Sequence, residues 1–184
     1  VTGTYGTLTI GADGSYSYAA DQAAADSIAA GESQNDVFVY TITDGTQDNT
    51  ANITIKVLGA NDNPSAQNDV GVVNEGSTLT VQNSANANVD GSFDANGVHS
   101  GDVIHTTSSS HKDSDLDTSD TLSITQIKKK VGGSNTSVSS GSSYNSSGTD
   151  VTGSYGTLTI GADGSYKYVA SSDISGLSDG ATVS

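Results

Sequence analysis

The sequence VTGTYGTLTIGADGSYSY, residues 1–18, recurs almost unchanged as VTGSYGTLTIGADGSYKY at residues 151–168. The copies differ only at Thr4/Ser154 and Ser17/Lys167. In each copy, two stretches that alternate polar and apolar residues flank a Gly-Ala-Asp-Gly turn, a pattern that predicts an antiparallel β-hairpin. Self-similarity at a period of about 150 residues indicates tandem repeats of whole domains and not a short-period solenoid.

The offset between the two copies defines the predicted domains. We expect residues 1–60 to be the C-terminal part of one repeat. Residues 65–184 are expected to be the following repeat without its last strands, and residues 61–64 (Asn-Asp-Asn-Pro) to be the linker. The chain is therefore expected to begin partway through one repeat and to stop partway through the next.

Other patterned segments extend the prediction of strands. Residues 37–43 (VFVYTIT) and 51–57 (ANITIKV) alternate around a polar turn, so we expect a long hairpin with one buried face. Other expected elements are strands at residues 70–73, 79–81 and 121–127, one helix at residues 21–30, and long polar loops at residues 83–101 and 132–149. Many short strands with almost no helix predict an all-β fold, an Ig-like antiparallel β-sandwich.

The amino-acid composition excludes two classes of binding partner, nucleic acids and anionic membranes. The formal net charge is −15, 33% of the residues are hydrophobic, and there is no cysteine. Nucleic-acid binding needs a basic face, and anionic membranes repel such a chain, so we expect neither partner. No apolar run is long enough to insert into a membrane. Most of the acidic residues are Asp, whose short carboxylate side chain suits Ca²⁺. The alternative interpretation is that these residues keep the protein soluble in a salty medium.

One acidic segment is the first candidate calcium site. Asp113, Asp115, Asp117 and Asp120 place four carboxylates within a short stretch. If the segment is extended, the first three side chains face the same way and repel one another until a cation is bound. The spacing is not that of an EF-hand. The alternative interpretation is a solvated acidic turn.

The predicted linker is the second candidate calcium site. Asn61, Asp62 and Asn63 supply side-chain oxygens beside backbone carbonyls, and Asp69 and Glu75 just beyond are candidates to complete the coordination. The alternative is an ordinary Asn-Pro turn. Other acidic residues are expected to be plain turn residues without metal, namely Asp13, Asp44, Asp48 and Asp163.

Signs of catalytic chemistry are missing from the sequence. It has no G-x-S-x-G, H-E-x-x-H, P-loop or dinucleotide-binding glycine pattern. His99, His105 and His111 are evenly spaced, but this spacing matches no common zinc pattern. We therefore expect a protein without enzymatic activity.

Several motifs together resemble a known family. The series YGTLTI at residues 5–10, ADGSY at 12–16, DVFVYTITDG at 36–45 and GANDNP at 59–64 resembles the VCBS repeat of giant bacterial surface proteins. The segment DSDLDTSDTL at residues 113–122 is similar to the acidic loop of cadherin-like Ig domains in such proteins. The resemblance implies a secreted, calcium-rigidified extender domain of an RTX-type adhesin, exported by type I secretion.

The resulting functional hypothesis is a calcium-stabilised stalk repeat of a bacterial surface adhesin, acting in cell adhesion and biofilm formation. Its expected partners are the neighbouring repeats of the same chain. One alternative is a self-assembling extracellular fibre subunit, in which strands missing from one chain are supplied by the next. Another is a module that binds carbohydrate or ice, for which the short Thr pairs and core-facing Tyr residues give thin support.

Overall fold

The computed structural model describes residues 1–82, 101–106 and 111–174. These residues form short antiparallel sheets with a single turn of helix, so the all-β fold class is confirmed. The chain divides into two compact units, Val1–Pro64 with Asp115–Thr121 and Ser65–Ser114 with Leu122–Ser184. The sequence prediction had placed residues 115–121 in the following repeat, whereas the structure groups them with the first unit.

The first unit contains two hairpins. Strands β1 (Thr7–Ile10) and β2 (Tyr16–Ala19) form one antiparallel pair, and β3 (Ser33–Thr43) and β4 (Asp48–Leu58) form a longer one. In the long hairpin Phe38 pairs with Ile53, and both side chains are half-buried. The alternation of residues 37–43 and 51–57 therefore predicted the inward side of Phe38 and Ile53 correctly, because side chains alternate across a strand, but Ile42 near the turn is exposed.

The predicted helix at residues 21–30 is wrong in extent. Only Ala23–Asp26 is helical (α1), and its N-cap residue Gln22 makes no side-chain capping bond. The Asp21 carboxylate instead accepts hydrogen bonds from Thr7 Oγ1 and Gln22 Nε2, so it is not available as a cap. The following residues leave the helix, and Ile28 and Ala29 are buried in the core of the unit.

The second unit is built on one four-stranded antiparallel sheet. The described strands of this unit are β5 (Thr78–Val81), β6 (Gln126–Ile127), β7 (Thr136–Ser137), β8 (Thr149–Thr152), β9 (Gly156–Ile160) and β10 (Tyr166–Ala170). The sheet has the order β5-β10-β9-β8, and β6 pairs with β7 separately. The hydrophobic core of this unit consists of Leu79, Val81, Val138, Ile160, Ala162 and Tyr166.

Three sequence predictions for the second unit need correction. Residues 70–73 do not form a strand, and the strand expected at 121–127 is reduced to β6. The expected loop at 132–149 contains β7, the first residue of β8 and the buried Val138. The β6–β7 pair has only two residues on each side, which is too short for an alternating pattern to reveal. Of the other expected loop, 83–101, all but Gly101 lies outside the described residues.

Candidate functional site

The acidic segment of the first unit is organised around a buried carboxylate. Asp117 is 1% exposed, and its Oδ2 accepts a hydrogen bond of 2.8 Å from the backbone N–H of Asp62. The N–H of Asp117 in turn donates to Asp115 Oδ1 at 3.0 Å. The N–H of Asp120 donates to the carbonyl of Asp117 at 3.0 Å, which closes a turn. The segment is therefore a folded loop, and not the extended strand on which the alternation argument depended.

The second oxygen of this carboxylate has no hydrogen-bond partner. Asp117 Oδ1 is the only buried side-chain nitrogen or oxygen atom of the described residues that lacks one. Leaving a buried acceptor unsatisfied costs about 1–3 kcal/mol, and more when the group carries a charge. A hard cation would satisfy it, because Ca²⁺ takes carboxylate, amide and carbonyl oxygens. Asp115 and Asp62, which are hydrogen-bonded to Asp117, and Asn61 beside Asp62 carry oxygens of that kind.

The other candidate calcium ligands have different surroundings. Asp113 Oδ1 accepts from the N–H of Gln67 at 2.7 Å, and Glu75 Oε1 accepts from the N–H of Ile174 at 3.0 Å. Asn63 is exposed in the first unit. Asp69 belongs to the second unit, where burial first and the charge of Asp69 next raise the pKa of Tyr166.

A preformed cage of carboxylates does not occur among the described residues. No three or more His, Asp or Glu residues of that part of the chain are grouped closely enough to hold a metal ion. The four carboxylates of residues 113–120 are thus not brought together as one cluster, and Asp113 lies in the other unit. The unpartnered Asp117 Oδ1 is the feature that points to a cation.

The turn aspartates have the local role expected of them. Asp13 Oδ1 accepts from the N–H and hydroxyl of Ser15, and Asp163 makes the same two bonds with Ser165. Asp44 Oδ1 accepts from the N–H groups of Thr46 and Gln47 in the β3–β4 turn. The hydrogen bond from the Ser15 hydroxyl is the main cause that holds the pKa of Asp13 below its ordinary value. For Asp44 the main cause is the hydrogen bond from the Gln47 N–H.

A buried carboxylate in the first unit was missed by the sequence analysis. Asp36, in β3, is 4% exposed and accepts hydrogen bonds from the N–H groups of Thr4 (2.9 Å) and Tyr5 (3.0 Å). It also accepts one from the Tyr18 hydroxyl at 2.6 Å. The signal was an Asp in register with Phe38 on the apolar side of β3, since a polar residue on an inward face needs partners.

Burial and these hydrogen bonds together shift the pKa values of both partners. Burial opposes the charge of Asp36, but hydrogen bonds from the Tyr18 hydroxyl and from the Tyr5, Thr4 and Gly6 N–H groups outweigh it and lower the pKa of Asp36. Burial first, and then the bond to Asp36, raise the pKa of Tyr18 to about 12. Phe38 packs edge-on against the Tyr18 ring, with centroids 6.2 Å apart. Asp36 and Phe38 thus join the long hairpin to the short one.

The histidines have ordinary structural partners where they are described. His105 Nδ1 lies 3.0 Å from Oδ1 of the buried Asp102, which also accepts from the N–H groups of Ile104 and His105. His111 Nδ1 lies 2.6 Å from the carbonyl of Asn68. His99 falls outside the described residues. These contacts give no support to a zinc site.

A scan against models of known protein families finds no match to this chain, and a search of the curated proteins finds no significant relative. Within the described residues, no helix has the length and apolar character needed to cross a membrane. The internal repeat and the two buried carboxylates, Asp36 and Asp117, are the features of this chain that bear on its function.

Proposed function

We propose that this chain is part of a calcium-stabilised stalk, made of tandem Ig-like sandwich repeats, of a large secreted bacterial surface adhesin. Its role is to supply length, stiffness and spacing on the cell surface in cell adhesion and biofilm formation. The expected neighbours of each repeat are other repeats of the same chain. The observation that carries the calcium part of the proposal is the buried Asp117 carboxylate with its unpartnered Oδ1.

The repeated hairpin supports the modular part of the proposal. The β1–β2 pair has Leu8 opposite Tyr18, and the β9–β10 pair has Leu158 opposite Tyr168, so the registers of the two copies are the same. Two segments of nearly identical sequence and register, about 150 residues apart, are the expected mark of domains copied in tandem.

The calcium part follows from the surroundings of Asp117. Its Oδ2 is held by the N–H of Asp62, and its N–H is held by Asp115, so the orientation of the carboxylate is fixed before a cation arrives. Asp117 would hold the ion, and Asp115, Asp62 and Asn61 would have to turn further oxygens toward it, because the described residues contain no preformed group of three carboxylates. Ca²⁺ would supply the charge neutralisation that a buried carboxylate otherwise lacks, and would fasten residues 115–121 to the Asn-Asp-Asn-Pro segment within the first unit.

Calorimetry with and without calcium tests this proposal. Extracellular modules bind Ca²⁺ with a Kd on the order of 10⁻⁴–10⁻³ M. After EDTA treatment and dialysis, a titration should show a site in this range, and the melting temperature should rise with Ca²⁺. A free concentration of 100 times Kd gives about 2.7 kcal/mol of stabilisation for one site.

Two variants make the experiment specific. Asp117→Asn should abolish the response to calcium, whereas Asp13→Asn removes an equal charge from an exposed turn and should leave the response intact. Small-angle scattering on the same samples should show a longer, stiffer particle when calcium is bound. Equal calcium responses of the Asp117→Asn variant and the parent chain would refute the assigned site.

A further inference from the structure

The turn end of the repeated hairpin has the same sequence and the same geometry in both units. Residues 5–16 and 155–166 are identical. The N–H of the first turn glycine donates to the carbonyl of the turn serine in each copy, at 2.8 Å for Gly11 and 2.9 Å for Gly161. In each copy an isoleucine pairs with a tyrosine across the two strands, and the register is the same: Ile10–Tyr16 and Ile160–Tyr166. The two units therefore present one and the same surface at this end of the hairpin.

The exposure of this isoleucine–tyrosine pair differs sharply between the units. In the second unit Ile160 and Tyr166 are 3% and 7% exposed and belong to the hydrophobic core. In the first unit Ile10 and Tyr16 are 41% and 57% exposed, and the turn between them, residues 11–15, is exposed as well. Side chains that form a core in one unit are thus accessible to a partner in the other.

The second unit shows what covers the pair. Strand β5 lies beside β10 in antiparallel register, with Val81 opposite Tyr166 and Leu79 opposite Tyr168. Both aliphatic side chains are buried, and both belong to the same core as Tyr166. Backbone pairing therefore sets the register of β5, and its two aliphatic side chains, two residues apart, supply the contact with the tyrosine side of the hairpin.

The edge that β5 occupies corresponds to the outer edge of β2 in the first unit. Antiparallel pairs exchange hydrogen bonds at every second residue. The Ala170 N–H donates at 3.0 Å to the carbonyl of the residue that precedes β5, so Tyr168 and Tyr166 are the next residues of β10 that bond to β5. Their counterparts in β2 are Tyr18 and Tyr16. The edge of β2 thus offers the same row of backbone groups beside an exposed apolar pair.

We propose that the outer edge of β2, with the exposed Ile10–Tyr16 pair, binds a β-strand of the β5 type. Such a strand has two aliphatic side chains two residues apart, on the pattern Thr-Leu-Thr-Val of residues 78–81. It pairs antiparallel with β2, its leucine lies opposite Tyr18, and its valine lies opposite Tyr16 and shields the apolar pair from water. In this mode of recognition main-chain hydrogen bonds give affinity and alternate side chains give specificity. The proposal depends neither on calcium nor on a role in a stalk.

The test is a titration of the ¹⁵N-labelled full chain with an end-capped synthetic peptide of residues 76–82 (GSTLTVQ). The peptide carries no charge, so the net charge of −15 on the chain does not repel it. Saturable shifts of the Tyr16 and Tyr18 amides are expected in the millimolar range of peptide. A peptide with Leu79→Ser and Val81→Ser keeps the length and the backbone groups but loses the aliphatic contact. It should bind roughly 10-fold or more weakly.

Two variants of the chain locate the site. Tyr16→Ser removes an exposed ring from the first unit, so it should weaken peptide binding while the melting temperature of the chain is unchanged. Tyr155→Ser removes an exposed tyrosine from the second unit and should leave peptide binding intact. Absence of saturable shifts overturns the proposal, and so does binding that Tyr16→Ser leaves unchanged or that does not distinguish the two peptides. Shifts at Tyr166 and Tyr168 in place of the first-unit amides also overturn it, because they would show that the peptide displaces β5 from its own unit.

Discussion

Replacing the buried Asp36 by Asn perturbs the first unit at one point and leaves the second unit as an internal reference. The carboxylate accepts hydrogen bonds from the Thr4 and Tyr5 N–H groups and from the Tyr18 hydroxyl, at 2.9, 3.0 and 2.6 Å. The carboxamide has nearly the same shape, but one of its two ends carries N–H donors instead of an acceptor. At least one donor of the loop must then face another donor.

The size of the effect follows from the hydrogen bonds lost. A hydrogen bond to a charged group contributes about 1.5–3 kcal/mol, and a buried donor left without an acceptor costs a comparable amount. Since the amide oxygen keeps some of these bonds, we expect a net loss of about 3 kcal/mol. For a unit of roughly 60–100 residues, each kcal/mol shifts the melting temperature by about 4–8 °C, so the first unit should melt roughly 12–24 °C lower.

The assay is thermal unfolding followed residue by residue in ¹⁵N spectra. The Leu8 amide reports the first unit and the Leu158 amide reports the second, because each lies in its own copy of the hairpin. Only the Leu8 transition should move. A shift below about 3 °C, or an equal shift at Leu158, would show that Asp36 does not hold the two hairpins of the first unit together.

The pH dependence of the same transition gives an independent check. The pKa of Asp36 in the folded chain is lowered from 3.8. The stabilisation is therefore present above that value and is lost as pH falls through the folded pKa. We expect the Leu8 transition of the parent chain to fall as the pH drops below about 4, and the Asp36→Asn variant to fall less. Parallel pH curves would contradict the assignment.

Three further pairs of results are expected. Tyr18→Phe removes a hydroxyl that donates to a buried carboxylate and should cost about 1.5–3 kcal/mol, whereas Tyr168→Phe should be nearly neutral in the same melting assay. Gly3→Ala drives a methyl group into Asp36 and Phe38 and should lower stability by about 1–3 kcal/mol, but Gly153→Ala should cost less than about 1 kcal/mol in urea unfolding. Asp117→Asn should equal or exceed the parent chain in stability in EDTA and fall below it in millimolar Ca²⁺, and the opposite order would argue against a cation at that carboxylate.

The strands that the sequence predicted well are those whose pattern is local. The Gly-Ala-Asp-Gly turn has Gly14 and Gly164 at φ values of 84° and 86°, where glycine is favoured, and a serine two residues after each Asp closes the turn. The long hairpin follows from strict alternation in β3 and β4. Such features depend on residues close in sequence, so a single chain is enough to find them.

The features that the sequence could not supply depend on distant contacts. The carboxylate of Asp36 meets the N–H groups of Thr4 and Tyr5 at separations of 32 and 31 residues, and the carboxylate of Asp117 meets the N–H of Asp62 at a separation of 55. Nothing in the local pattern distinguishes Asp117 from Asp115 or Asp120, yet only Asp117 is buried with an oxygen left over. The single buried carboxylate of Asp117, and not the row of four, is therefore the candidate calcium ligand.

The two copies of the hairpin differ most in what covers them. Ile10 and Tyr16 are exposed in the first unit, at 41% and 57%, whereas Ile160 and Tyr166 are buried in the second, where β5 pairs with β10. The contrast is reversed at the glycine loop: a β-carbon on Gly3 would meet Asp36 and Phe38 of β3, whereas among the described residues a β-carbon on Gly153 would meet only the Gly156 carbonyl oxygen. Within the described residues, each unit thus shows a cover that is not seen in the other. A repeat that contained both would enclose its hairpin on both sides, which is the arrangement that a sandwich of tandem domains requires.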